Sequence, residues 1–323
     1  MRVLIVKLSS LGDVVHTMPV VHDIRAAFPE AVIDWVVEPG FAPLVRRVAG
    51  VHTAIECALR RWRKRWWTSA VWRDWRAFRA ALKAQRYDAV IDFQGLTKSA
   101  LIARMANGPS FGLANRTDGA SHEPPARWLV DRAIRIEPRT HALDRARLLG
   151  SRALGYTLAG APDFGLRSRL PKLPDRTLVF VHGTSRDDKL WPEPSWIELG
   201  RRAIADGWRI VLPQAGDAEL TRAHRIAAAL GEGCAVWPEM DLAALADRMG
   251  AAHGVIGVDS GLSHIAVALG LPHVQIYNFP TAWRTGPQPA HGHDHQLAVE
   301  ARPTPSLDSV WSAWRTASRE AAE

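Results

Sequence analysis

In "MRVLIVKLSSLGDVVHTMP", an apolar run gives way through Ser9, Ser10 and Gly12 to amphipathic sequence, and a carboxylate, Asp13, stands at the changeover. Backbone amides at the start of a helix ordinarily suit anions. Two readings are therefore open: Asp13 caps the helix, or it faces a cleft as a general base. Pro19 would interrupt the hydrogen-bond ladder of a continuous helix, which predicts a distorted segment here. The turn has one glycine rather than the three of a dinucleotide site, although Glu38 stands where a ribose-binding acid would.

Two later turns have complementary chemistry. In "HGTSRDDKLWP", Thr184 and Ser185 offer hydroxyls and backbone amides, and Lys189 offers a mobile cation. That set suits phosphate oxygens, and it equally describes a solvated polar loop. In "GVDSGLSHIAVALG", an apolar run ends at Asp259, and Ser260, Gly261 and Leu262 open a helix whose free amides and positive dipole end suit a diphosphate. Gly261 permits close approach, and His264, one turn in, reads by itself as structural.

Gln94 and Lys98 in "DFQGLTKSALIARMA", with His141 in "RTHALDRARLLG", form either a polar acceptor pocket or a helix cap and an exposed face. Residues 60–76 hold five of the fourteen tryptophans and seven Lys or Arg. Such a segment lies on a lipid interface, or turns its aromatics into the core as an amphipathic surface helix. Single-stranded nucleic acid also suits aromatics beside arginines, but no nucleic-acid module accompanies them. The tract "HGHDHQ" near residue 291 carries metal-ligating residue types, yet adjacent loop histidines are ordinarily solvated.

The elements that position these turns follow from the pattern. "MRVLIVKL", "AVIDWVVE", "YDAVIDFQ", "RTLVFVHG", "WRIVLP", "CAVWP", "GVIGVD" and "HVQIYN" are apolar on consecutive positions, as strands covered on both faces are. Helical patterns such as "SWIELGRRAIADG" and "DAELTRAHRIAAALG" alternate with the later runs, and "SLDSVWSAWRTASREAAE" reads as a closing helix. Parallel, doubly wound α/β sheets result, with ligands expected beyond the carboxyl ends of the strands.

At 323 residues the chain exceeds the roughly 250 to 300 at which one core stops growing. The Pro- and Gly-rich stretch at residues 160–175 therefore reads as a linker between domains 1–165 and 166–323. A formal charge of +8 favours an acidic partner, whether nucleic acid, phosphorylated metabolite or anionic lipid. Two cysteines, Cys57 and Cys234, provide no disulfide framework or cysteine-based zinc site. No apolar run reaches the length of a membrane span, and no signal-peptide pattern opens the chain, so a cytoplasmic protein is expected.

"VKLSSLGDVVHTMP", "RRWRK", "YDAVIDFQGLTKSA", "TSRDDKLWP" and "VDSGLSHIAVAL" together resemble the lipopolysaccharide heptosyltransferases, in the right order and over nearly the whole chain. The resemblance implies a GT-B fold, two Rossmann-like domains facing a central cleft. It implies inverting transfer of L-glycero-D-manno-heptose from ADP-heptose to the first Kdo of Kdo2-lipid A, peripherally at the inner membrane. No cofactor, no obligatory metal and no nucleic acid are implied.

Carried over by residue, it makes Asp13 the base and Lys189 a second catalytic group. It assigns the donor to Thr184, Ser185, Lys189, Glu219, Met240, Asp259, Ser260, Gly261, Leu262 and His264. The acceptor falls to Ser10, Gly12, Arg60, Arg61, Arg63, Lys64, Gln94, Lys98 and His141. The alternatives are a related heptosyltransferase or other nucleotide-sugar transferase, and a non-catalytic module binding anionic lipid or nucleic acid.

Overall fold

The computed structural model describes residues 1–288 and 294–320. The chain divides into two compact units, Met1–Gly165 and Leu166–Glu323. His291, Gly292 and His293 of the histidine tract lie outside the described residues.

The first unit holds six strands: β1 (Arg2–Val6), β2 (Val32–Val37), β3 (Val51–Glu56), β4 (Ala89–Asp92), β5 (Ser110–Leu113) and β6 (Arg132–Ile134). They pair in parallel in the order β3-β2-β1-β4-β5-β6. Val3 to Val6 and Ala89 to Ile91 are essentially buried, because helices cover both faces of the central strands. Only β3 and β6, at the edges, reach solvent along much of their length.

The second unit repeats the plan with β7 (Thr177–Val181), β8 (Arg209–Leu212), β9 (Cys234–Val236), β10 (Gly254–Val258), β11 (His273–Tyr277) and β12 (Gln296–Glu300). The order is β12-β11-β10-β7-β8-β9, again all parallel. Trp196 packs on Phe180 and Trp191 with ring centroids 5.1 Å apart in each pair, and Trp208 meets Trp314 of the closing helix Leu307–Glu320 at 5.2 Å.

Both sheets reverse their strand order once. In the first unit the chain runs outward from β1 to β2 on one side and from β4 to β5 on the other; in the second, β7 and β10 are the diverging pair. Loops at the carboxyl ends of such a pair leave in opposite directions and open a crevice there. The crevices fall after Val6 and Asp92, and after Val181 and Val258.

The expected distortion at Pro19 takes the form of a break. Helix Leu11–Thr17 ends, Met18 N–H bonds back to Val15 O at 3.0 Å, and Pro19 becomes the first residue of helix Pro19–Ala27, where its missing N–H costs nothing. That second helix is fixed to helix Ala142–Leu154 by a buried bidentate pair, Arg147 Nε and Nη2 donating to Asp23 at 2.8 Å each.

Candidate active site

At the first crevice, β1 runs into the turn Lys7–Ser10 and then the helix that carries Asp13. Ser10, not Asp13, is the N-cap residue, in extended conformation, and its peptide bond to Ser9 is cis. Asp13 Oδ2 accepts from Ser10 N–H at 3.2 Å and from Ser10 Oγ at 2.8 Å. One carboxylate oxygen thus serves the start of the helix. The other, Oδ1, lies 3.7 Å from Lys7 Nζ, and the side chain keeps 37% of its surface exposed. The two readings of Asp13 are compatible: one oxygen supports the cap and leaves the other for chemistry.

Burial pushes the Asp13 carboxyl up, but Lys7, the Ser10 hydroxyl and Arg145 outweigh it and hold it below the ordinary carboxylate value. Lys7 is buried and donates to Phe93 O at 3.1 Å; loss of hydration lowers its ammonium despite the opposing pull of Asp13. Lys7, Asp13, His16 and Arg145 line a cavity of about 10 Å³, room for a single water. Neither Lys7 nor Arg145 stands out in the sequence. The one available signal was a lysine directly after four consecutive apolar residues of a strand.

Gln94 is buried, and its Oε1 accepts from Leu8 N–H at 3.1 Å and Ser9 N–H at 3.2 Å. The amide oxygen holds the turn before Asp13. Asp92 in turn accepts from Gln94 N–H at 2.9 Å, Gly95 N–H at 3.4 Å and Ser99 Oγ at 3.0 Å. A chain of hydrogen bonds therefore runs from the end of β4 across to the loop after β1.

Burial pushes Asp92 up to about 6, against the hydrogen bonds it accepts. Because the folded value lies above the unfolded one, its proton contributes stability that is complete below about pH 4 and lost as pH rises through about 6. Urea unfolding between pH 4 and 7 is expected to show a decline of about 2 kcal/mol from this group, and Asp92→Asn is expected to flatten it. An unchanged slope in the variant would remove Asp92 from that role.

His141 serves as a cap. Its ring is buried, Nδ1 accepts from Leu143 N–H at 3.2 Å as the cap of helix Ala142–Leu154, and it packs edge-on against His16 at 5.7 Å. The basic cluster divides. Arg60 Nε lies 3.2 Å from Glu38 Oε1 at the carboxyl end of β2, and burial raises the Glu38 carboxyl against the pull of Arg60 and Lys98. Arg60 and Lys98 therefore face one carboxylate, while Arg61 pairs with Asp74 at 2.7 Å. Arg63 and Lys64 are exposed, and Gly12 is half-buried within the first turn of its helix.

At the second crevice, the loops after β7 and β10 meet. Lys189 Nζ donates to Asp259 Oδ2 at 2.6 Å, Thr184 Oγ1 donates to Asp259 O at 3.1 Å, and His264 Nε2 lies 3.7 Å from Asp259 Oδ1. The cation expected to be mobile is thus held in an ion pair with a buried carboxylate. Ser260 caps helix Gly261–Ala268 by position only: its side chain bonds none of the first-turn amides, and among the described residues Ser260 Oγ is buried without a partner. Gly257 in β10 lets that helix approach, since a Cβ there would overlap Ser263 Oγ and the Val181 side chain.

Glu219 joins the group. Its carboxylate lies against Gly183, where a Cβ would overlap it, and it accepts from Ala215 N–H at 2.9 Å. Burial raises this carboxyl against that bond and Arg222. Ser185 is exposed, Leu262 is half-buried in the first turn of helix Gly261–Ala268, and Met240 is half-buried in the loop after the edge strand β9. Asn278 was not foreseen: its Nδ2 donates to Asp188 O at 3.0 Å and Leu190 O at 2.9 Å, clasping the turn that carries Lys189. Among the described residues, no group of three His, Cys, Asp or Glu side chains is placed to hold a metal ion.

The sequence model of glycosyltransferase family 9 (heptosyltransferase) matches residues 75–310. Lipopolysaccharide heptosyltransferase 1 of Escherichia coli K12 is 42% identical over 286 residues, covering 86% of this chain and 88% of that protein. The chain belongs to glycosyltransferase family 9. Among solved structures, this family 9 chain matches the E. coli heptosyltransferase WaaC with ADP at a TM-score of 0.88 and 36% identity, over 98% of this chain and all of that one. The same enzyme with ADP-2-deoxy-2-fluoro heptose matches at 0.83 and 38% identity, over 97% and 98%. The two doubly wound α/β units of this glycosyltransferase are those of the GT-B fold.

Proposed function

We propose that this glycosyltransferase moves L-glycero-D-manno-heptose from ADP-heptose to the first Kdo of Kdo2-lipid A, with inversion, in the cytoplasm at the inner membrane surface. One observation carries the reading: the two crevices hold opposite chemical equipment. One presents a partly exposed carboxylate, and the other a lysine beside a helix start that its own cap residue Ser260 leaves unbonded. Those are the needs of an attacking alcohol and a departing diphosphate. The relatives point to the sugar and the nucleotide: one is a heptosyltransferase, and the solved enzyme holds ADP or ADP-2-deoxy-2-fluoro heptose.

In this mechanism Asp13 takes the proton from the Kdo hydroxyl as its oxygen attacks the anomeric carbon. A carboxylate held below its ordinary pKa cannot deprotonate a sugar alcohol beforehand, so proton transfer accompanies bond formation. The C–O bond to ADP breaks with its electron pair leaving on the diphosphate, whose growing charge is met by Lys189, Thr184, Ser185 and the amides of Gly261 and Leu262. Asp259, His264 and Glu219 hold that surface, with Met240 along the donor. Arg60, Arg61, Arg63, Lys64 and Lys98 receive the acid groups of the acceptor. Ser10 and Gly12 shape the turn beneath it.

Incubating the protein with ADP-heptose and Kdo2-lipid A is expected to add the mass of one heptose to the lipid. Excess EDTA is expected to leave the rate unchanged, since Lys189 and the helix amides meet the leaving charge. Absence of the added heptose would sink the assignment.

A further inference from the structure

The Trp- and Arg-rich segment is two helices, Leu59–Lys64 and Ser69–Lys83, meeting at a corner. Its tryptophans divide sharply. Trp62 is buried, edge-on to Trp75 at 5.5 Å and 5.4 Å from Phe78. Trp66, Trp67 and Trp72 are 64%, 66% and 50% exposed. Core packing accounts for the first and leaves three indoles in water within seven residues.

The second helix shows where Trp72 points. Val71, Phe78 and Leu82 form its buried stripe. One position further round, Trp72, Arg76, Arg79 and Lys83 recur at the same helical spacing, all exposed. Among the described residues, none of these three cations pairs with a carboxylate. Exposed indoles and a row of unneutralised cations both raise the free energy of the isolated surface, the first by wetting apolar area and the second by mutual repulsion. A planar anionic phase with an apolar interior relieves both.

The geometry points to this corner as a membrane-docking face: Trp66, Trp67 and Trp72 enter the headgroup layer of an anionic bilayer, and Arg76, Arg79 and Lys83 meet its phosphates. The inference rests on the lipid-linked acceptor proposed above and names the surface that brings the enzyme to it. Continuity supports it, because Arg60 in the first of the two helices pairs with Glu38 at the carboxyl end of the sheet that also holds Asp13. Single-stranded nucleic acid fits less well. Trp66 and Trp67 stand at 83° to one another, which offers no pair of parallel platforms for successive bases.

The test is sedimentation of the full chain with vesicles of phosphatidylcholine alone, or of phosphatidylcholine and phosphatidylglycerol. The protein is expected to sediment with the anionic vesicles, with a blue shift of tryptophan emission, and not with the neutral ones. Trp66→Ser/Trp67→Ser/Trp72→Ser is expected to weaken that partition by at least about tenfold and to leave transfer to a deacylated, water-soluble Kdo acceptor unchanged. Arg76→Ala/Arg79→Ala/Lys83→Ala is expected to lose most of the salt sensitivity of vesicle binding.

Undiminished binding by the tryptophan variant overturns the inference. So does equal binding to neutral vesicles, or tighter binding of a single-stranded oligonucleotide that the same variant loses. Failure of the unmodified protein to transfer heptose to the soluble acceptor would instead count against the proposed reaction, and vesicle partition would still decide the docking face.

Discussion

Asp13→Asn lowers turnover by at least about a hundredfold while ADP-heptose still binds with nearly its original affinity. The substitution separates the two duties of this side chain. An amide oxygen can still accept from Ser10 N–H and Oγ, the bonds made at 3.2 and 2.8 Å, so the start of helix Leu11–Thr17 is preserved. What disappears is a group able to take a proton from an attacking hydroxyl. Donor affinity, assigned in the proposal to the second unit, is expected to stay, as calorimetry with ADP-heptose can verify. Because Lys7 and the Ser10 hydroxyl hold the Asp13 carboxyl low against its burial, the parent enzyme should keep this base ionised through the neutral range. Any acid limb arising from it then lies below the ordinary carboxylate values. Turnover by the variant close to that of the parent would remove the base assignment.

The second large effect is at Lys189. Lys189→Ala is expected to weaken ADP binding and to lower kcat/KM by about a hundredfold or more. Two losses combine. On the proposed assignment the diphosphate loses a cation where charge grows as the sugar departs, and Asp259, 5% exposed, loses its 2.6 Å partner and is left with His264 Nε2 at 3.7 Å, a negative group that would repel the phosphates. Asp259→Asn in the Lys189→Ala background separates the two, since it should recover part of the ADP affinity without recovering the rate. Calorimetry and steady-state kinetics on the single and double variants measure both. Unchanged affinity and rate in Lys189→Ala would place this lysine outside the site.

Much of the scaffold was legible because buried parallel strands must be apolar on consecutive positions. The runs at β1, β2, β4 and β7 to β11 could hardly be anything else between helical patterns. The other strands were missed for physical reasons. β3 and β6 lie at edges and mix polar with apolar residues, β5 is four residues containing Ser110 and Gly112, and β12 follows the histidine tract with half-exposed positions. None carries a continuous apolar signal.

The candidate turns were legible for a related reason: small, polar and charged residues directly after an apolar strand mark the carboxyl end of a sheet, where such folds keep their ligands. The sequence by itself thus determined the residue types available for chemistry: a carboxylate after β1, and hydroxyls, a lysine and an open helix start after β7 and β10. It could not decide their partners. That Gln94 holds the backbone after β1, that Lys7 stands buried beside Asp13, that Asn278 clasps the Lys189 turn, and that three indoles of the basic segment face water while Trp62 does not, all depend on how the fold packs rather than on local pattern. Local pattern specifies backbone geometry and average burial. Partnership is set by which strand ends the fold brings side by side, and only the tertiary structure supplies that.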